Sequence, residues 1–130
     1  MKKIFLAFLL LTSALYAELI KAYPTKELLE KHIPIVDIRT PAEWRQTGII
    51  KGAIPITFFD ERGNYDIRKF LEELNKRVNT SKPFAIICHV GNRSAMVSQF
   101  LAKELGYTVI DLVGGMEEAK RRGLPMTPYL

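Results

Sequence analysis

Cysteine is nearly absent: the 130-residue chain carries one, Cys88. A lone thiol excludes an internal disulfide framework. Only two histidines, His32 and His89, accompany it at no regular spacing, so the pattern of a metal site is missing too. Glycine and proline number 8 and 7, which excludes a fibrous or low-complexity chain, and no internal repeat is found. Long runs of one charge are also lacking. The formal net charge is +5, part of it from Lys2 and Lys3 at the extreme N-terminus, so the remaining excess is mild and nucleic acid is not an expected partner. With 48% hydrophobic and 25% charged residues, the chain is long enough for one soluble globular domain with its own core.

A long apolar run occurs once, at the N-terminus. Met1-Lys2-Lys3 is basic, Ile4 to Ala14 is apolar apart from Thr12 and Ser13, and Ala14-Leu15-Tyr16-Ala17 ends in a small residue. This is the layout of a secretory signal peptide, residues 1–17, which leaves 18–130 as an exported, periplasmic domain. An uncleaved anchor is the alternative, but a spanning helix needs roughly 20 apolar residues. No cysteine lies near the junction, which excludes a lipoprotein anchor, and no stable membrane insertion is expected after processing.

The rest alternates between short apolar runs and helical patterns. Strands are expected at Pro34–Ile38, Ala53–Ile56, Phe84–Ile87 and Thr108–Leu112. Helices are expected over Lys26–Lys31 with Thr25 as cap, and from a capping box at Thr40-Pro41-Ala42-Glu43 through Gln46. Asp66–Val78 carries an apolar stripe of Ile67, Phe70, Leu71, Leu74 and Val78. A further helix follows Gly91 to Leu105, with Met96, Val97, Phe100, Leu101 and Leu105 expected to face inward, and a last one opens at Gly114-Gly115. Lys120-Arg121-Arg122 is expected in that helix's last turn. Phe58 to Tyr65 is the longest polar loop. Strands separated by helices of this length imply an α/β domain with a mainly parallel sheet covered on both faces.

In such sheets ligands gather where strand C-termini meet helix N-termini, and Cys88 stands at that junction. It follows Phe84-Ala85-Ile86-Ile87 and opens the loop His89-Val90-Gly91-Asn92-Arg93-Ser94. Successive amides in a tight loop before a helix form an anion nest, reinforced by the helix dipole. With Arg93 in reach, such surroundings lower a thiol pKa from about 8.5 into the range of roughly 3.5–7.5. Gly91 permits the backbone angles the loop needs, and Ser94 is placed to cap the helix or hydrogen-bond the thiolate. A buried, inert cysteine is the competing reading of an isolated Cys88.

Cys88, Gly91, Arg93 and Ser94 after an apolar strand resemble the active-site loop of the rhodanese family of sulfurtransferases. The resemblance extends to Asp37-Ile38-Arg39-Thr40-Pro41-Ala42-Glu43-Trp44, to Gly48-Ile49-Ile50-Lys51-Gly52-Ala53, and to Gly114-Gly115 and Gly123-Leu124-Pro125. It departs from the pattern at Ile49, where the family often has His, and at Ala119, where the last helix often carries Trp.

The resemblance implies a single domain with a parallel sheet of about five strands. It implies that Cys88 takes sulfane sulfur from a small anionic donor such as thiosulfate, becomes a persulfide, and passes the sulfur to cyanide or a thiol. The amides of His89, Val90, Gly91, Asn92 and Arg93 would hold that sulfur, and the Arg93 side chain would steer the donor. No metal or organic cofactor is implied, and a protein donor or acceptor is a further candidate partner. Related phosphatases place one residue more between Cys and Arg than the four found here, which suits this loop to sulfur. An arsenate reductase would lack a second thiol for resolution. A persulfide carrier without turnover and a membrane-tethered scaffold remain as alternatives.

Asp37 and Arg39 are expected as a structural pair beside the loop, because buried charges are paired. His89 is assigned to the rim, and His32 to a helix end or the surface. Trp44, Phe58 and Phe59 are assigned to packing before any substrate entrance.

Overall fold

The computed structural model describes residues 17–130. Apart from Ala17, the signal peptide therefore lies outside the described residues. The chain runs β1 (Leu19–Ala22), α1 (Lys26–Glu30), β2 (Ile35–Asp37), α2 (Pro41–Thr47), β3 (Ile49–Ile50), β4 (Ile54–Pro55), α3 (Ile67–Arg77), β5 (Phe84–Ile87), α4 (Asn92–Leu105), β6 (Val109–Leu112), α5 (Gly115–Arg121) and β7 (Met126–Thr127).

Five strands form one sheet in the order β1-β6-β5-β2-β4, every pair parallel. Its fifth member, β1, lies in Leu19–Ala22, an edge strand not expected from sequence because Lys21 interrupts the apolar run. A separate two-stranded antiparallel pair joins β3 to β7. From β2 the chain moves outward to β4, whereas from β5 it moves the other way to β6 and then pairs with β1. The crevice between the C-terminal ends of β2 and β5 is therefore the topological switch point, where α/β sheets bind ligands.

Alternation along the strands divides the core. Phe84, Ile86 and Cys88 face one side with Val36, Ile38 and Val109, against α3 (Phe70, Leu74) and α4 (Val97, Leu101, Ala102). Ala85 and Ile87 face the other with Ile35, Ile110 and Leu112, against Met116, Ala119 and Leu124. This period of two is what turns the Cys88 side chain toward α4.

The caps explain several helix starts. Thr25 accepts from Leu28 N, Thr40 and Glu43 complete the capping box of α2, and Asp66 accepts from Lys69 N ahead of α3. One expectation fails in α4. Met96 is 62% exposed and Leu105 36% exposed, while the buried stripe runs Ser94, Val97, Ser98, Leu101, Ala102. The helix is rotated relative to its most apolar face because its first turn is fixed by the Cys88 loop, which brings two serines inward.

Elsewhere, the Phe58–Tyr65 loop is ordered by Asp60, whose carboxylate accepts from the amides of Arg62 and Asn64 at 2.9 and 2.8 Å. Tyr65 stacks on Phe58 with ring centroids 5.7 Å apart. Trp44 and Phe58 are buried and Phe59 is half-buried, so these aromatics pack. At the end of α5, Arg121 and Arg122 both bond Glu118, so part of the basic cluster is committed to an acid one turn back.

Candidate functional site

Cys88 follows the last residue of β5 and is 1% exposed. Its Sγ accepts hydrogen bonds from the amides of Gly91 at 3.2 Å and Ser94 at 3.3 Å. Gly91 is the N-cap of α4 and has no side chain to offer the third helical residue. The Cys88 sulfur takes the place of the capping oxygen, accepting from the Ser94 amide. Negative charge on that sulfur therefore sits at the positive end of a 14-residue helix.

The loop carbonyls are held from the opposite side. Cys88 O accepts from Met116 N at 2.8 Å, and His89 O accepts from Glu117 N at 3.1 Å. Because C=O and N–H point in opposite directions across a trans peptide, these bonds aim the amides of His89 and Val90 into the loop. Among the described residues the amides of His89, Val90, Asn92 and Arg93 donate to no acceptor. Six consecutive loop residues thus present two amides to Sγ and four more for an anion beside it.

Two glycines make this approach sterically feasible. Gly115 has φ +61°, and a Cβ there would lie 2.5 Å from Cys88 O and 2.6 Å from His89 O. Gly91 has φ +108°, in the left-handed region.

The Arg93 side chain hydrogen-bonds Glu43 and not the thiol, although its charge still acts on Cys88 through space. Its guanidinium forms a two-pronged bond with Glu43, Nη1 to Oε1 at 2.7 Å and the second nitrogen to Oε2 at 2.8 Å. The guanidinium thus ties the loop to the capping box of α2 and keeps its charge within Coulombic range of Cys88. The Arg93 bond, helped by Thr40, holds the Glu43 carboxyl at about 2 against the opposing effect of burial. The same bond raises the Arg93 pKa. Sequence reasoning found Glu43 as a capping residue and missed this second role, which no local spacing signals.

Ser94 departs from expectation as well. Its amide, not its hydroxyl, meets the sulfur, and its Oγ donates to Asp111 Oδ1 at 2.8 Å. Asp37 and Arg39 pair at the end of β2, 0% and 1% exposed, with Arg39 Nη2 2.8 Å from Asp37 Oδ2. Arg39 also donates to Thr47 Oγ1 and Gly48 O, so the pair closes the C-terminal end of α2 beside the loop. Removing either charge would strand the other, a loss of about 3–5 kcal/mol in comparable buried pairs. His89 is exposed on the rim with Nε2 3.5 Å from Glu117 Oε1, and Val90 and Asn92 are exposed beside it. His32 is exposed at the end of α1.

Two outcomes follow from this geometry. Gly115→Ala should push the Cys88 carbonyl off α5 and open the loop, so that Cys88 reacts with a small disulfide reagent about tenfold faster, the effect of a ~1.4 kcal/mol shift in local opening; an unchanged rate would contradict the close-approach argument. Glu43 has a folded pKa below its unfolded value near 4.5, so its contribution to stability is full above 4.5 and disappears as pH falls toward 2. Urea midpoints of wild type and Glu43→Gln should therefore differ most near neutrality and converge below pH 4.5; a gap that does not narrow would contradict the ion-pair account.

The family model for the rhodanese-like domain matches residues 18–122. No curated protein matches the chain. Among solved structures, a rhodanese-like domain protein from Staphylococcus aureus is 28% identical with a TM-score of 0.59, covering 85% of this chain and 98% of its own. A protein from Staphylococcus saprophyticus subsp. saprophyticus is 32% identical with a TM-score of 0.56, covering 84% and 97%. A Rhodopseudomonas palustris protein of unknown function, described as a possible tyrosine phosphatase, is 27% identical with a TM-score of 0.55, covering 83% and 85%. A match over residues 18–122 takes in the sheet, the Cys88 loop and α5 together, and the chain belongs to the rhodanese-like domain family.

Proposed function

We propose that the protein is an exported sulfurtransferase that works through a persulfide on Cys88. The observation that carries this reading is the sulfur acting as the cap of α4, ringed by main-chain donors. The Cys88 thiolate attacks the outer sulfur of thiosulfate; the S–S bond of the donor breaks and sulfite leaves with the electron pair. Cyanide or a thiolate then attacks the outer sulfur of the Cys88 persulfide, and the electron pair of that S–S bond returns to Sγ. In each half-reaction negative charge stays on sulfur, and fixed amides stabilise it without reorganisation. The free amides of His89, Val90, Asn92 and Arg93 are the donors for the outer sulfur.

Phosphatase chemistry is less well supported, although one structural neighbour is described as a possible tyrosine phosphatase. An arginine that grips phosphoryl oxygens must be free to do so, and here both prongs of Arg93 are on Glu43. A second reading, a carrier that hands persulfide sulfur to a protein partner, draws on Val90 and Met96. These apolar side chains are 42% and 62% exposed on the loop and on the outer face of α4.

The test is thiosulfate-to-cyanide turnover by protein purified after expression of the complete chain, beside Cys88→Ser. Turnover in the wild type that falls to background in the variant is the expected result. Absent turnover with a reduced thiol and a folded protein would remove the small-molecule enzyme and leave the carrier. Intact mass of the periplasmic protein, expected to begin at Glu18, checks export; full-length chain in the membrane fraction would contradict it.

A further inference from the structure

Asp111 is buried, 2% exposed, on β6 and takes no part in the steps above. Strand alternation turns Val109 and Asp111 toward α4, and an apolar residue at 111 would simply continue the Val109 packing. A carboxylate in such a place is unfavourable unless both oxygens are engaged, and replacing buried ion pairs with apolar groups is often neutral or stabilising. Packing alone therefore does not account for it.

Both oxygens are engaged, on opposite sides. Oδ1 accepts from Ser94 Oγ at 2.8 Å, and Oδ2 lies 3.3 Å from Nζ of Lys21, its register partner on β1. The Ser94 hydroxyl also lies 3.2 Å from Gly91 O, but it has one hydrogen, and the nearer, charged acceptor is Asp111. Ser94 is also the residue whose amide donates to Cys88 Sγ. One residue is thus anchored to the sheet by its side chain while its main chain points at the sulfur. This anchor and the Cys88 loop act on the same first turn of α4, in which Ser94 faces inward while Met96 lies in solvent.

We propose that Asp111 is a positioning residue for sulfur transfer: through Ser94 Oγ it locks the first turn of α4 in the orientation that aims the Ser94 amide at Cys88. Lys21 balances its charge from the neighbouring strand. The assignment deepens the sulfurtransferase reading and rests on it for its kinetic consequence, while its structural part stands apart from it.

The experiment compares wild type with Asp111→Ala, Asp111→Asn and Ser94→Ala, each purified from the complete chain and checked for folding by thermal melting. Hydrogen exchange of the Ser94 amide is read by NMR, and sulfur transfer is read in parallel. Asp111→Ala should speed Ser94 amide exchange and slow sulfur transfer, each by about tenfold. Asp111→Asn keeps an oxygen for the Ser94 hydroxyl and should stay within about threefold of wild type in both. Should Asp111→Ala fail to fold, Ser94→Ala provides the same test, with the same expected loss. Wild-type exchange and transfer in a folded Asp111→Ala, or equal losses in the Asn and Ala variants, would overturn the proposal. If the wild type transfers no sulfur, the exchange arm still decides the positioning, and only the reading of the reaction fails.

Discussion

Two hydrogen bonds at the start of the last helix hold the carbonyls of Cys88 and His89, and the arrangement of the site depends on them. A loop of six residues has many shapes available, and most would scatter its amides. With the two carbonyls drawn onto α5, peptide planarity turns the facing N–H groups inward, and α4 begins with its first turn directed at the sulfur. The close contact admits no side chain at Gly115. The cradle is therefore a product of packing two helix N-termini against one strand end, and its donors are main-chain groups.

The charges around the loop are arranged so that little is left over. Arg93 is matched by Glu43, Arg39 by Asp37, and Asp111 by Lys21. These pairs connect the loop to α2, the end of β2 to α2, and β6 to β1. Their role is mechanical, in that each removes a freedom from an element bordering Cys88. On the proposed reading, anionic sulfur is stabilised by the set of amides and the dipole of α4, with the Arg93 charge acting from the side.

Much of this was legible in the sequence. Apolar runs bounded by Pro and Gly located the central strands, and Thr40-Pro41-Ala42-Glu43 announced α2. The junction of Phe84–Ile87 with a glycine-containing loop located Cys88 at the end of β5 and before α4. What sequence could not show depends on long-range contact. Arg93 and Glu43 are 50 residues apart, and Ser94 and Asp111 are 17 apart. The phase of α4 was misread at Met96 and Leu105 for the same reason, because a polar anchor overrode the apolar count. The edge strand β1 was missed because Lys21 interrupts its apolar run, and the β3–β7 pair because two residues carry no periodicity.

The central claim is that Cys88 stores a sulfur atom in this cradle, and the half-reaction tests it most directly. Reduced protein is mixed with thiosulfate in the absence of acceptor, and its intact mass is taken before and after cyanide is added. The account predicts a gain of about 32 Da, one sulfur, that is lost again with cyanide and absent in Cys88→Ser. A folded protein with a free thiol that gains no sulfur from thiosulfate, polysulfide or a persulfide donor would contradict it.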